Sequence, residues 1–198
     1  NNIEVEICTF SLESCLNAQQ AGASRVELCS GMYDGGTTPS AAMIRMAREK
    51  LSIQLYVMIR PRGGDFLYSD LEFEVMKEDI RFAKACRADG VVLGILNADG
   101  SVDVQRTREL VELAAPLKVT FHRAIDMTRN MEEALEGIIE AGCYRVLTSG
   151  GRNTVNEGME QIEALVKQAG GRVQIMAGSG VNAANARALM ELGVDAIH

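Results

Sequence analysis

Three short stretches, Ala21-Gly22-Ala23, Ala141-Gly142-Cys143 and Leu192-Gly193-Val194, are built alike: each sets a glycine between the end of a helical pattern and a β-rich run. Glycine closes helices because it enters the left-handed region without a Cβ clash. Arg87-Ala88-Asp89-Gly90 is a looser copy of the same junction. The β-rich runs are Ile3 to Cys8, Arg25 to Cys29, Ile53 to Arg60, Gly90 to Ile95, Leu117 to His122, Tyr144 to Thr148, Arg172 to Met176 and Asp195 to His198. Between them Phe73, Met76, Ile80 and Ala83 recur at three- and four-residue steps, as do Val155, Met159, Ile162 and Val166. Each set marks one apolar helix face.

The junctions precede the second, fourth, sixth and eighth runs, so every other strand–helix unit carries one signature. That suits a closed ring with alternating layers, and the fold expected is an α/β TIM (β/α)8 barrel forming a single domain over residues 1–198. The competitor is a doubly wound open sheet, but its glycine fingerprint is missing after Cys8, where Thr9-Phe10-Ser11 stands. Because the chain stops inside or just after the eighth strand and begins at Asn1, a truncated barrel lacking its last loop and helix is expected.

With 47% hydrophobic residues the chain can bury a real core. No apolar run approaches the roughly 20 residues of a membrane span, and Asn1-Asn2-Ile3-Glu4 has no basic flank leading into a signal-like core, so the cytoplasm is the expected location. Five cysteines without a close-spaced pair read as free thiols. A net charge of −7 with scattered basic residues argues against nucleic acid or an anionic membrane as partner, and leaves a homo-oligomer open.

Inward-facing barrel residues grow polar toward the C-terminal rim. If Ile3, Val5 and Ile7 face helices, then Glu4, Glu6 and Cys8 face inward; Val26 and Leu28 likewise turn Arg25, Glu27 and Cys29 inside. Parallel neighbours lie about 4.8 Å apart, so Cys8 and Cys29 could share one ion if the register allows. Tyr56, Met58 and Arg60 face inward on the third strand, Thr120 and His122 on the fifth, Ala196 and His198 on the eighth. Both histidines then look into one mouth. The plainer alternative for Glu6, Arg25, Glu27 and Arg60 is a buried charge network. Cys15, Cys86, Cys143 and the ten methionines read as core filler.

Glycine turns follow the sixth and seventh strands, at Thr148-Ser149-Gly150-Gly151 and Ala177-Gly178-Ser179-Gly180, with Asn182 placed to cap a helix. Gly150, Gly178 and Gly180 are therefore candidates for an anion cradle, or simply tight turns. The loop Arg60-Pro61-Arg62-Gly63-Gly64-Asp65 adds two guanidiniums, which suit carboxylate or phosphate.

The stretches Val5-Glu6-Ile7-Cys8, Arg25-Val26-Glu27-Leu28-Cys29, Gly35 to Ser40, Ile59 to Ser69, Thr120 to Asp126, Val146 to Gly150 and Met176 to Val181 together resemble the copper homeostasis protein CutC family. The resemblance implies a cytosolic barrel linked to copper tolerance, with Cys8 and Cys29 on the two cysteines proposed in the family to hold copper(I). Thiolates are soft ligands that suit a monovalent copper ion, and His122 and Met58 are possible further ligands. The alternative is an enzyme acting on a small anionic or phosphorylated metabolite. There Arg60, Arg62 and the glycine turns would bind the anion, and Glu27 or His122 would move the proton.

Overall fold

The structure, a computed structural model, describes residues 3–198; the expectation drawn from Asn1 lies outside them. Eight parallel strands follow one another around a closed barrel. They are β1 (Glu4–Thr9), β2 (Arg25–Leu28), β3 (Gln54–Met58), β4 (Gly90–Leu93), β5 (Lys118–Phe121), β6 (Arg145–Thr148), β7 (Gln174–Ala177) and β8 (Ala196–Ile197). The layer outside holds α1 (Leu12–Gln20), α2 (Ala41–Lys50), α3 (Asp70–Ala85), α4 (Val104–Ala114), α5 (Met131–Glu140), α6 (Val155–Ala169) and α7 (Ala186–Glu191). Two 3-10 turns, Met32–Asp34 and Arg123–Met127, lie in the loops after β2 and β5.

The repeated junction has a physical basis. Gly22, Gly142 and Gly193 share φ = 88°, and Arg87 takes the equivalent left-handed position at φ = 60°. Two residues on, Ser24, Asp89 and Asp195 each accept a hydrogen bond from the backbone of a neighbouring strand, at Val5, Leu55 and Ile175. One turn therefore ends a helix and ties the next strand to the sheet.

The expected helix face of α3 is found whole, with Phe73, Met76, Ile80 and Ala83 all buried. On α6 the face is rotated: Val155, Gly158, Ile162, Leu165 and Ala169 are buried, while Met159 and Val166 sit at its margin. Gly158 lies directly on the backbone of Ser149 and Gly150, so a glycine inside the helix lets it sink against the loop after β6. The cap of α7 is Asn185; Asn182 instead forms a turn just before it, its side chain accepting from Ala184.

Side chains alternate as the barrel requires, and the floor is ionic. Fully buried Arg25 bonds Glu6 through Nε and Glu4 and Gln54 through Nη1, while fully buried Arg145 bonds Glu4 and Gln174. The Arg25 guanidinium lies 4.6 Å from the centre of the Tyr56 ring. Above this floor, Tyr56, Met58 and Val92 pack with Cys29 on one side, and Leu147, Met176 and Ala196 pack together on the other. Outside, Val26 and Leu28 are buried, but Ile7 remains 40% exposed.

Candidate functional site

The register aligns Cys8 with Glu27 and Thr9 with Leu28. Cys29 follows β2 directly, held by its amide on the Thr9 carbonyl at 2.9 Å. The two sulfurs lie 3.9 Å apart at the C-terminal end of the barrel, Cys29 buried and Cys8 half-buried. Glu27 offers a carboxylate oxygen within 4.8 Å of both. The hydrogen bond with Cys8, burial and the nearby Glu27 charge together push the Cys29 thiol far above the ordinary range.

Glu27 does not stand alone. Its Oε2 meets His198 Nε2 at 3.0 Å, and Glu6 Oε1 lies 3.5 Å from the same nitrogen. Burial disfavours the imidazolium, but the Glu27 charge and hydrogen bond, with Glu6 behind them, outweigh it and push the His198 pKa up to about 9. His198 in return draws the Glu27 carboxyl below its usual range against the opposing effect of burial. Glu6 goes the other way, raised by complete burial. Glu6 Oε1 and Glu27 Oε1 are both buried without a hydrogen-bond partner.

His122 is placed by the end of β5 and by Gly94, where an added Cβ would come 2.5 Å from the imidazole Cε1. Its Nδ1 accepts a hydrogen bond from the Ala124 amide at 3.1 Å. In the neutral ring the proton must then sit on Nε2, which is buried and without a partner. Burial and the neighbouring Arg60 charge lower the pKa to about 4, so the ring is neutral near pH 7. His122 thus presents a hydrogen-bond donor, the opposite of what a metal ligand or general base must offer.

Arg60 is buried, and its terminal nitrogens are spent on the carbonyls of Asp34, Gly36 and Gly64. It stitches the loops after β2 and β3 together, leaving Nε unpaired. Arg62 is not brought to the mouth: it pairs with Glu72 at 2.5 Å and Asp65 at 3.1 Å on the outer side of its loop. Gly150 gives its amide to Thr148 Oγ1, and Gly178 gives its own to the Thr148 carbonyl. Gly180 offers its carbonyl to Asn182 and Asn185. The cradle after β6 is filled by the chain's own anion, since the Asp126 carboxylate accepts from the amides of Ser149 and Gly151, from Thr148 Oγ1 and from Arg123 Nε. The Asp126 role had no signal beyond its closeness to His122 in sequence.

A cavity of about 240 Å³ opens at this end of the barrel. It brings together Cys8, Glu27, Met58, Arg60, His122 and His198, and adds Arg123, Phe66 and Ser179 from the loops. Ser179 holds φ = 84°, an uncommon value for a residue with a side chain, and such strain clusters at functional sites.

The model of the CutC family matches residues 3–198. The chain belongs to the CutC family. A CutC family protein of Chromobacterium violaceum is 54% identical over 181 residues, covering 91% of this chain and 73% of that protein. The human copper homeostasis protein cutC homolog is 47% identical over 191 residues, 96% of this chain and 70% of its own length. A crystal structure of CutC from Streptococcus agalactiae superposes with a TM-score of 0.94 at 36% identity, covering 100% of this chain and 98% of that one. An aldolase at 19% identity and TM-score 0.73, covering 98% of this chain and 88% of its own, shares the barrel alone. Among the described residues no helix is long and apolar enough to cross a membrane.

Proposed function

We propose that this CutC protein holds copper(I) between Cys8 and Cys29 and handles the ion in the cytoplasm. The separation of the two sulfurs carries the reading. Taking about 2.3 Å as the length of a metal–thiolate bond, two such bonds at an angle near 120° span roughly 4 Å, and the observed distance is 3.9 Å. The pair needs no backbone movement to close on one ion. Its surroundings suit a soft ion, since Tyr56, Val92 and the thioether-bearing Met58 pack with Cys29. A working pair of adjacent thiols needs reducing conditions to stay unbridged, which favours a cytoplasmic setting.

Loading displaces the Cys29 thiol proton, which the hydrogen bond with Cys8, burial and the Glu27 charge hold in place, so uptake releases a proton. Anaerobic titration against a chromophoric copper(I) chelator tests the reading. One ion per chain is expected, with loss of uptake in Cys8→Ser and in Cys29→Ser; unchanged uptake in both variants rejects it.

A second reading, catalysis on a small anionic metabolite, draws support from the unpartnered His122 Nε2–H in the same cavity. There His122 would donate a hydrogen bond to a substrate oxygen as a neutral imidazole, with Arg60 and Arg123 nearby and Glu27 as the proton carrier. A thermal-shift screen with phosphorylated and carboxylated metabolites decides it: a His122-dependent rise in melting temperature supports it, and no shift with any compound counts against it.

A further inference from the structure

Beneath the thiol pair lies a second group of ligand atoms with different chemistry. We propose that Glu6, Glu27 and His198 form a binding site for a divalent cation of the zinc or manganese class, distinct from the copper(I) pair and joined to it through Glu27.

The spacing is that of ligands already arranged around an ion. Two donors each about 2.1 Å from a metal lie roughly 3.0 Å apart at a right angle and roughly 3.4 Å apart at a tetrahedral one. His198 Nε2 stands 3.0 Å from Glu27 Oε2 and 3.5 Å from Glu6 Oε1. All three residues offer atoms within 4.8 Å of one another.

The hydrogen-bond accounting points the same way. An imidazolium bridging toward the carboxylates leaves Glu6 Oε1 and Glu27 Oε1 buried with no donor, on side chains 0% and 3% exposed. A buried carboxylate oxygen without a partner is costly, and these two lack a counter-charge of their own. A cation seated between Nε2 and the two carboxylates supplies it.

The supports of the site are also those of a metal centre. Arg25 Nε holds the other oxygen of Glu6, fixing the carboxylate that would ligate. The His198 amide is anchored on the Ala177 carbonyl at 2.8 Å. Oxygen and imidazole ligands select a borderline or hard divalent ion, whereas the sulfurs above select a soft monovalent one, so the two ions need not compete. Access runs through the cavity, which Glu27 and His198 both line.

The test uses cobalt(II) as the probe and the Cys8→Ser/Cys29→Ser double variant as the host, so the thiols are removed from the readout. One cobalt per chain is expected, with visible d–d bands and no sulfur-to-metal charge-transfer band. Adding His198→Gln, or Glu6→Gln, should weaken binding on the order of 100-fold while circular dichroism stays unchanged. If Glu6→Gln does not fold, His198→Gln alone decides. No cobalt bound by the double variant, or the same affinity after His198→Gln, overturns the proposal. Failure of the copper reading shows up separately, as copper(I) uptake by the wild type that the double variant retains.

Discussion

The Ala124 amide donates to Nδ1 of His122 at 3.1 Å, and this single hydrogen bond decides what the histidine offers the cavity. It fixes the Nε2–H tautomer, while burial and Arg60 lower the pKa to about 4. Nitrogen NMR should therefore show a protonated Nε2 at pH 7 and no titration of this ring between pH 8 and 5. The folded pKa lies below the unfolded value of about 6.5, so the unfolded chain binds more protons in that window. Stability contributed by His122 is complete above about 6.5 and declines as pH falls toward 4; a ring titrating near 6.5 in the folded protein would contradict this.

His198 has the opposite sign. Its pKa of about 9 lies above the unfolded value, so its contribution is complete below about 6.5 and is lost as pH rises through 9. Glu27→Gln removes the charge that outweighs burial. Proton NMR should show the His198 pKa dropping by at least one unit in that variant, and an unchanged titration would mean that Glu27 does not set it.

Gly94→Ala drives a methyl to within 2.5 Å of the His122 ring. Overpacking of this kind costs about 1–3 kcal/mol, measured by denaturant unfolding. The imidazole resonances of His122 should move with it, because the ring is what the added methyl meets first.

Arg87→Gly should stabilise the protein by roughly 0.5–1 kcal/mol. Arg87 occupies, at φ = 60°, the position held by glycine in the three sister junctions, and relief of left-handed strain exceeds the entropy that glycine adds to the unfolded chain. Thermal denaturation checks it; destabilisation would show that the arginine side chain does more than tolerate its backbone.

Cys8 and Cys86 should react with iodoacetamide before the other three cysteines in the native protein. Both are half-buried, and Cys8 lines the cavity, whereas Cys15, Cys29 and Cys143 are each 5% exposed or less. Burial alone also pushes the Cys143 thiol up to about 12. Mass spectrometry of partially alkylated protein gives the order, and early labelling of Cys143 would contradict the packing.

What the residues disclosed in advance follows from periodicity. Counting by twos places Cys8, Glu27, Cys29, His122 and His198 inside because a strand has only two faces and one of each pair is apolar. Pairing across the barrel is a different matter. The Glu27–His198 contact joins β2 to the residue after β8, and the stagger that brings them level is set by the closed ring, which no local pattern encodes. Arg62 looked like an anion ligand because it flanks Arg60, yet Asp65 and Glu72, close in sequence, claim it first. The glycine turn after β6 carries the composition of an anion cradle and is one, but its anion is Asp126. Helix α6 misled by a single step, since Gly158 turned out to be the point of closest approach rather than a neutral position.

X-ray absorption at the copper edge, on protein loaded with copper(I) without oxygen, tests the central claim most directly. The account expects a coordination shell dominated by sulfur that disappears in the Cys8→Ser/Cys29→Ser variant. A shell of nitrogen and oxygen alone, or one unchanged in that variant, would contradict it.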